Sequence, residues 1–256
     1  MKTVFITGAG AGIGQETARM FAKQGWFVGL YDINIDAVQA LHQEIGESNS
    51  CFGHCDVTEF GSIEQAISEF SQHSNGTMHA FINNAGVLFG GEFIDVPMVQ
   101  HELTIDINIK GLTYCSKAAF ELLKATPNSR LINLCSVSSL HGIPSLSTYS
   151  SSKFYVKGFT EALSIEWQQH DIQVSSVMPS FVKTGMLQGV PPQLMEKLGV
   201  SQSPQNIANE IYSMTDSSMI HRVVSLKGKL IRLLVNICSD KINRTLFRYI
   251  SGYNTK

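Results

Sequence analysis

A glycine-rich run between a short apolar stretch and a helical pattern constrains the fold of this chain more than any other feature. Thr3–Thr7 has the composition of a buried strand, and Gly8-Ala9-Gly10-Ala11-Gly12-Ile13-Gly14 follows it directly. Glycine at a strand-to-helix turn lets the backbone approach a pyrophosphate, and the N-terminus of the following helix presents free N–H groups to the anion. A tight turn that needs positive φ is the simpler alternative. The expected phosphate-binding residues are Gly8, Gly10, Gly12, Ile13 and Gly14.

Short apolar runs alternate with longer amphipathic stretches over the first 180 residues. This alternation is typical of a parallel sheet covered by helices, because strands buried on both faces are apolar throughout. The predicted strands are Thr3–Thr7, Phe27–Tyr31, Ser50–Cys55, Ala80–Asn83, Arg130–Cys135 and Gln173–Met178. The predicted helices are Gly12–Gln24, Ile35–Ile45, Gly61–His73, Pro97–Leu123, Tyr149–Gln168 and one from Pro204 to about Met214, capped by Ser203. We expect a doubly wound α/β fold with a mostly parallel sheet of about seven strands and helices on both faces.

An acidic residue ends the second predicted strand. Asp32 lies 18 residues after Gly14, where a carboxylate can accept hydrogen bonds from the hydroxyl groups of an adenosine ribose and repel a 2′-phosphate. Neither the turn nor the segment directly after Asp32 contains Arg or Lys. These features favour NAD over NADP, whereas a solvated loop acid is the simpler alternative.

Composition bounds the class of protein. With 43% apolar and 16% charged residues the chain can bury a sizeable core, and the odd count of five Cys indicates free structural thiols in a reducing compartment. No apolar run reaches the length of a membrane span, and the Cys and His residues show no zinc pattern. We expect a cytoplasmic protein with no metal site and no nucleic-acid partner.

Further motifs follow in a fixed order along the chain. They are Asn83-Asn84-Ala85-Gly86 after a strand, Asn108 on a long helix, Ser136 at a strand end and Tyr149-Ser-Ser-Ser-Lys153, which begins 13 residues after Ser136. With the glycine-rich turn, this order resembles the short-chain dehydrogenase/reductase family in its compact, single-domain form. The resemblance implies a Rossmann-type fold, a nicotinamide cofactor and a small-molecule alcohol or ketone as substrate. It also implies a homodimer or homotetramer formed through the helices that match 97–123 and 149–168.

Tyr149 and Lys153 carry the chemistry that these motifs suggest. Residues four apart share one face of a helix, and a neighbouring cation lowers the pKa of a phenol from about 10 toward neutrality. Such a phenol can exchange a proton with an alcohol or ketone oxygen, and Ser136 can orient that oxygen. Ser138 and Ser139 compete for the role of Ser136. The resemblance assigns to Asn108 a proton relay through water, although a structural helix kink or cap is the alternative.

The resemblance also implies further contacts with the cofactor. Asn84 and Gly86 would lie under the adenosine, Asp56 and Val57 would meet the adenine, and Tyr149 and Lys153 would reach the nicotinamide ribose. After the sixth strand the family has Pro-Gly, whereas here Pro179 precedes Ser180, so the local turn is expected to differ. Pro179, Val182 and Thr184 are expected near the carboxamide.

The substrate side and the C-terminus differ from the rest of the chain. Residues 1–226 are predicted to form the dehydrogenase domain, with a lid at about 185–202, and 227–256 a basic amphipathic helical tail. From residue 221 onward there are eight Lys and Arg against one Asp. Such a tail can lie on an anionic membrane, cap the substrate entrance, or dock on the body or on a partner subunit. The predicted pocket lining is apolar: Leu140, Ile143, Leu146, Met186, Leu187, Leu194, Met195 and Leu198.

The sequence therefore predicts an NAD-dependent oxidoreductase that interconverts a secondary alcohol and a ketone, with an apolar substrate. Asn108, Ser136, Tyr149 and Lys153 are the predicted catalytic residues. The alternatives are a non-catalytic NAD-binding sensor or scaffold, and an NADP-dependent acyl ketoreductase. Substrate identity and the direction of the reaction stay open.

Overall fold

The apolar runs of the sequence are the strands of one parallel sheet in the computed structural model, which describes residues 1–187, 190, 195–196 and 202–253. The strands are β1 (Thr3–Thr7), β2 (Phe27–Asp32), β3 (Ser50–His54), β4 (Ala80–Asn83), β5 (Ser129–Leu134), β6 (Ile172–Met178) and β7 (His221–Val223). The six predicted strands are confirmed to within one residue at each end. The seventh has three residues, too few for its pattern to identify it.

The sheet order is β3-β2-β1-β4-β5-β6-β7. The chain therefore builds outward from β1 in one direction and then, from β4, in the other. Ligands of open α/β sheets bind outside the carboxyl ends of the strands where this reversal opens a crevice. The glycine-rich turn follows β1 and the Asn83–Gly86 motif begins at the end of β4, so both lie at that crevice.

Helices cover both faces of the sheet, which confirms the doubly wound α/β prediction. One face is covered by α1 (Gly12–Lys23), α2 (Ile35–Ile45) and α7 (Pro204–Ser213), and the other by α3 (Phe60–His73), α5 (Leu112–Lys124) and α6 (Ser147–Glu166). The alternation of β1 explains the two cores, because Phe5 packs toward α3 while Val4 and Ile6 pack toward α1. Four of the five free thiols are buried, namely those of Cys51, Cys55, Cys115 and Cys135.

The long helix predicted over 97–123 is interrupted. It consists of α4 (Met98–Ile105), a π-helical segment (Asp106–Gly111) and then α5. Asn108 lies inside the π-helical segment and is buried. Helical periodicity alone does not reveal such a wide turn, because the apolar spacing on either side is that of an α-helix.

The basic tail forms two helices, α8 (Leu226–Ile237) and α9 (Asp240–Ile250). The face of α8 that packs on the body contains Gly228, Ile231 and Val235. The apolar face anticipated from the sequence is directed away from the body, since Leu226 and Ile237 are 83% and 73% exposed. Among the described residues, no helix combines the length and apolar character that crossing a bilayer requires.

Candidate active site

A cavity of about 320 Å³ opens at the crevice between the carboxyl ends of β1 and β4. It extends from the glycine-rich turn, past the end of β5, to the first turn and a half of α8. Twelve of the predicted site residues line it: Gly8, Gly12, Ile13, Asp32, Asn84, Gly86, Ser136, Tyr149, Lys153, Pro179, Val182 and Thr184. The lining does not include Gly10, Gly14, Asp56, Val57 or Asn108.

The glycine-rich turn has the backbone that a phosphate cradle needs. Gly8 and Gly12 have φ of +66° and +55°, in the region that side chains rarely adopt. Gly14 serves a different purpose, because a Cβ there would lie 2.0 Å from the carbonyl oxygen of Gly8. Helix α1 therefore begins in close contact with the end of β1. The first N–H groups of a helix have no partner within it, and Gly12 and Ile13, which begin α1, line the cavity.

The carboxylate of Asp32 is held in place by backbone donors. The N–H of Gly10 donates to Oδ2 at 2.8 Å, and the N–H of Asn34 donates to Oδ1 at 2.9 Å. A Cβ on Gly10 would lie 3.0 Å from Oδ2, so Gly10 is what allows the carboxylate to lie against the turn. Each carboxylate oxygen has a further lone pair for a ligand hydroxyl group.

Asn84 stabilises the glycine-rich turn through hydrogen bonds to the end of β1. Its Nδ2 group donates to the carbonyl oxygens of Thr7 and Gly8, both at 3.0 Å, and its own N–H donates to Thr7 Oγ1 at 3.1 Å. Gly86 follows, and a Cβ there would lie 3.1 Å from Oδ1 of Asn108. This segment therefore fixes the turn on one side and contacts the π-helical segment on the other.

Ser136, Tyr149 and Lys153 converge at the end of β5. The Tyr149 phenol is hydrogen-bonded to Ser136, whose Oγ also accepts from the N–H of Ser138 at 3.1 Å. Nζ of Lys153 donates to the carbonyl oxygen of Leu134 at 2.9 Å and lies 5.6 Å from the centre of the Tyr149 ring. Ser138 lines the same cavity, but Ser136 is the serine that contacts the phenol.

Burial dominates the electrostatics of this group. It raises the pKa of the Tyr149 phenol above its usual range, while the hydrogen bond from Ser136 opposes that rise. Burial also lowers the pKa of the Lys153 ammonium group. Lys153 is not among the groups that shift the phenol pKa in this structure, so the expected lowering is absent, and burial dominates because removal from water penalises both charged forms.

Asn108 clamps a loop of the cavity rather than lining it. Its Oδ1 accepts from the N–H of Val87 at 2.8 Å, and its Nδ2 donates to the carbonyl oxygen of Val87 at 2.9 Å and to Ser152 Oγ at 3.1 Å. Ser152 Oγ in turn donates to the carbonyl oxygen of Tyr149 at 2.7 Å. The π-helical segment thus connects the Val87 loop to the helix that carries Tyr149. The relay role stays a prediction.

The segment after β6 lies across the cavity from the glycine-rich turn. A Cβ on Gly12 would lie 3.3 Å from Thr184 Cγ2, which places Thr184 beside the phosphate cradle. Ser180, which stands where the family has Gly, donates from its N–H and its hydroxyl to Gln202 Oε1 at 3.0 and 3.2 Å. The hydroxyl thereby connects the turn to Gln202.

Asp56 and Val57 lie beyond the cavity lining. Oδ1 of Asp56 accepts from the N–H and hydroxyl of Thr58 at 2.9 and 2.7 Å, and the Val57 side chain is buried against Gly111. Their contact with adenine stays a prediction.

The tail builds part of the cavity wall. Gly228 permits this approach, since a Cβ there would lie 2.8 Å from Val137 Cγ1, and the Ile231 side chain follows it along the cavity wall. In α9, Phe247 stacks on His141 with ring centres 3.8 Å apart. Past that helix, Tyr253 OH lies 3.0 Å from Ser145 Oγ.

Of the predicted pocket residues, Ile143 and Met186 line the cavity, whereas Leu140 packs in the neighbouring core. Leu146 and Met195 belong to the cluster around Phe247. Leu194, Leu198 and the Leu187 side chain lie outside the described residues, as does most of the predicted lid. Sequence reasoning missed further lining residues, among them Val87, Leu88, Leu134, Cys135, Val137, Phe181, Ser225, Lys227, Gly228 and Ile231. A glycine inside an apolar helix at 228 was the one signal of close packing there.

Comparisons with known proteins agree with this geometry. The family model described as short chain dehydrogenase matches residues 2–194. Oxidoreductase UcpA of Salmonella typhimurium is 33% identical over 195 residues, which are 75% of this chain and 73% of that protein. Meso-2,3-butanediol dehydrogenase of Serratia marcescens is 30% identical over 213 residues, 81% of this chain and 84% of the relative. A short-chain dehydrogenase/reductase of Burkholderia phymatum, solved in complex with NAD, superimposes with a TM-score of 0.83 at 19% identity and 95% coverage of both chains.

Proposed function

Because the chain belongs to the short-chain dehydrogenase family, which makes it an NAD(P)-dependent oxidoreductase acting on CH–OH groups, we propose that it interconverts a secondary alcohol and a ketone with NAD and an apolar substrate. The observation that carries the proposal is the convergence of Ser136, Tyr149 and Lys153 in the cavity that also contains the glycine-rich turn. A cofactor and a substrate placed in one cavity can react with each other.

The residues present fit a dinucleotide. The positive-φ glycines leave room for a pyrophosphate against the N-terminus of α1, and the oriented carboxylate of Asp32 suits ribose hydroxyl groups. A 2′-phosphate at that position would meet the negative charge of Asp32, which supports NAD over NADP. The NAD named for the Burkholderia phymatum structure is consistent with this preference.

A bound nicotinamide would supply hydride transfer, and the side chains donate or accept the proton of the substrate oxygen. We assign Tyr149 as the acid/base group, because its hydroxyl is buried in the cavity and hydrogen-bonded to Ser136. Ser136 orients the substrate oxygen, and Lys153 holds ribose hydroxyl groups and contributes positive charge near the phenol. Since burial raises the phenol pKa, an added positive charge in the cavity is needed to bring it toward neutrality.

Apolar lining supports an apolar substrate. Beyond Tyr149 the wall includes the apolar side chains of Leu88, Ile143, Phe181 and Ile231, and Lys227 is the charged residue that α8 adds to the lining. Meso-2,3-butanediol dehydrogenase carries a secondary alcohol in its name, and it matches most of this chain. Oxidation or reduction at a carbinol carbon is therefore better supported than the identity of the rest of the substrate.

The predicted homodimer or homotetramer has support in the exposed apolar side chains of α6. Phe154, Tyr155 and Ile165 are 44%, 36% and 76% exposed, more than a surface helix without a partner needs. The assembly would bury these side chains and leave the cavity open. Cytoplasmic localisation remains part of this proposal.

The test is a dehydrogenase screen of secondary alcohols with NAD, read from the absorbance of NADH, for the natural protein and Tyr149→Phe. We expect turnover in the natural protein and a loss of about 10²- to 10⁴-fold in the variant, the usual contribution of a general acid/base. NADH binding, measured by fluorescence, should be nearly equal in both proteins. Undiminished turnover in the variant would refute the assignment, and NAD binding without turnover on any alcohol or ketone would favour a sensor.

A further inference from the structure

Helix α8 has two faces with different environments. Gly228 and Ile231 line the cavity on the inner face. On the opposite face, Leu226, Leu230, Leu233 and Ile237 form what we call the outer stripe, and their side chains are 83%, 56%, 54% and 73% exposed. Folded protein surfaces rarely present so many large apolar side chains in one line without a partner.

The outer stripe follows from helical geometry. Its residues are spaced by four, three and four positions, which at about 100° per residue places them within an arc of roughly 60°. The buried Gly228 and the inward-packed Ile231 and Val235 are centred about 160° away. The stripe therefore points almost directly away from the body, and packing of α8 on its own subunit cannot cover it.

Basic residues flank the outer stripe. The exposed side chain of Lys229 lies beside it on α8, roughly 70° from its centre, and those of Lys241 and Arg244 lie on α9. Ile242 and Tyr249 add apolar surface to α9, with 55% and 66% exposure. Asp240 is the one acidic residue in positions 221–253. Apolar surface framed by one sign of charge matches a bilayer with anionic headgroups.

We propose that the outer stripe docks the enzyme on the surface of an anionic phospholipid bilayer. At about 1.5 Å per residue, the twelve residues of α8 extend roughly 18 Å, too short to span the hydrocarbon core but suited to lying in the interface. Docking the outer face of α8 brings the cavity wall on its inner face close to the lipid. A lipophilic alcohol or ketone could then enter from the membrane, a consequence that rests on the proposed function.

Vesicle flotation tests the docking without reference to turnover. The full chain is mixed with phosphatidylcholine vesicles, with or without phosphatidylglycerol, and the floated protein is measured. The variant Leu230→Gln/Leu233→Gln changes the stripe, and Ile94→Gln/Met219→Gln is the matched control, since those two apolar side chains are 84% and 46% exposed and lie outside both the stripe and α6. We expect the natural protein and the control to float with the anionic vesicles. The partition coefficient of the stripe variant should be lower by about tenfold or more.

Removal of basic residues provides a second test of the docking. Lys229→Gln/Lys241→Gln should reduce partitioning into anionic vesicles roughly tenfold to thirtyfold, at about 1 kcal/mol for each basic residue near the surface. Added salt should weaken binding of the natural protein. Failure of the natural protein to float with anionic vesicles overturns the proposal. Equal loss in the Ile94/Met219 control also overturns it. So does a stripe variant whose mass in solution falls while its flotation is unchanged, which would identify the stripe as a contact between copies.

Kinetics separates this proposal from the proposed function. With a water-soluble secondary alcohol, the Leu230/Leu233 variant should match the natural enzyme, because neither residue lines the cavity. With a long-chain secondary alcohol presented in anionic vesicles, its KM should rise with the loss of flotation. Equal KM values for the vesicle-borne alcohol would overturn delivery from the membrane. Absence of turnover on either alcohol, with flotation intact, would instead count against the proposed function.

Discussion

Replacement of Asp32 should change which dinucleotide the enzyme accepts. Both carboxylate oxygens are already oriented by one backbone N–H each, from Gly10 and Asn34, so the side chain is preorganised for two ribose hydroxyl groups. A hydrogen bond to a charged group contributes about 1.5–3 kcal/mol, which corresponds to a factor of roughly 10 to 150. Asp32→Ala should therefore raise the KM for NAD within that range.

The charge of Asp32 has a separate effect on NADP. A carboxylate about 4 Å from a phosphate costs about 1 kcal/mol per pair of unit charges in water and about 4 kcal/mol near a protein surface. Asp32→Asn removes the charge and keeps one of the two oxygens that accept from the backbone N–H groups of Gly10 and Asn34. We expect this variant to lower the ratio of kcat/KM for NAD to kcat/KM for NADP by roughly tenfold to a hundredfold.

The assay is NADH or NADPH formation from one secondary alcohol at saturation, with each dinucleotide titrated. Asp36→Asn is the control, because Asp36 is an exposed acid in the first turn of the neighbouring helix α2. That variant should leave the ratio close to the natural value. A ratio in Asp32→Asn within about threefold of the natural enzyme would refute the electrostatic reasoning, since the repulsion alone predicts a larger change.

Two further predictions concern stability. Gly14→Ala should unfold or strongly destabilise the protein in urea titrations, because its Cβ would lie 2.0 Å from the Gly8 carbonyl oxygen. Gly158→Ala is the control: its Cβ would meet open space, and the substitution should raise the free energy of unfolding by up to about 1 kcal/mol. Equal stabilities would contradict the close contact. Burial lowers the pKa of His221 despite the neighbouring Glu161, so the fold favours neutral imidazole, and the free energy of unfolding should fall as pH drops below about 6.5. His221→Gln should reduce that fall, measured between about pH 7.5 and about pH 5.5, and an unchanged slope would exclude His221 as its source.

Local pattern predicted most of the fold. The strands that carry the site are short apolar runs bounded by Gly, Asn, Asp or Ser, and those signals lie within a few residues of one another. The seventh strand was not predicted because three residues are too few to show a strand pattern. The π-helical segment was not predicted because the apolar spacing on both sides of Asn108 is that of an α-helix. Register between distant segments, such as Val182 with Gln202, is not encoded in any local window.

The site was predictable where a motif determines geometry. Tyr149 and Lys153 share a helix, so their proximity followed from spacing, and Gly8 and Gly12 have the positive φ that the turn suggested. The electrostatics was not predictable in the same way, because the pKa of Tyr149 depends on burial by residues distant in sequence. The orientation of α8 also depended on tertiary packing, since one face is apolar and the other contains Gly228, and the small residue proved to be the one facing the cavity.

The contacts of Gln202 have a practical consequence for altering specificity. Its side chain receives both donors of Ser180, its carbonyl oxygen accepts from the N–H of Lys183 at 3.0 Å, and its backbone pairs with Val182. The two ends of the intervening stretch are thus fastened together at the border of the pocket. Since the entropy cost of closing a loop grows only with the logarithm of its length, this stretch offers a natural exchange point for grafting. Segments of other lengths, taken from relatives with other substrates, could replace residues 187–201, which leaves Val182 and Thr184 beside the glycine-rich turn.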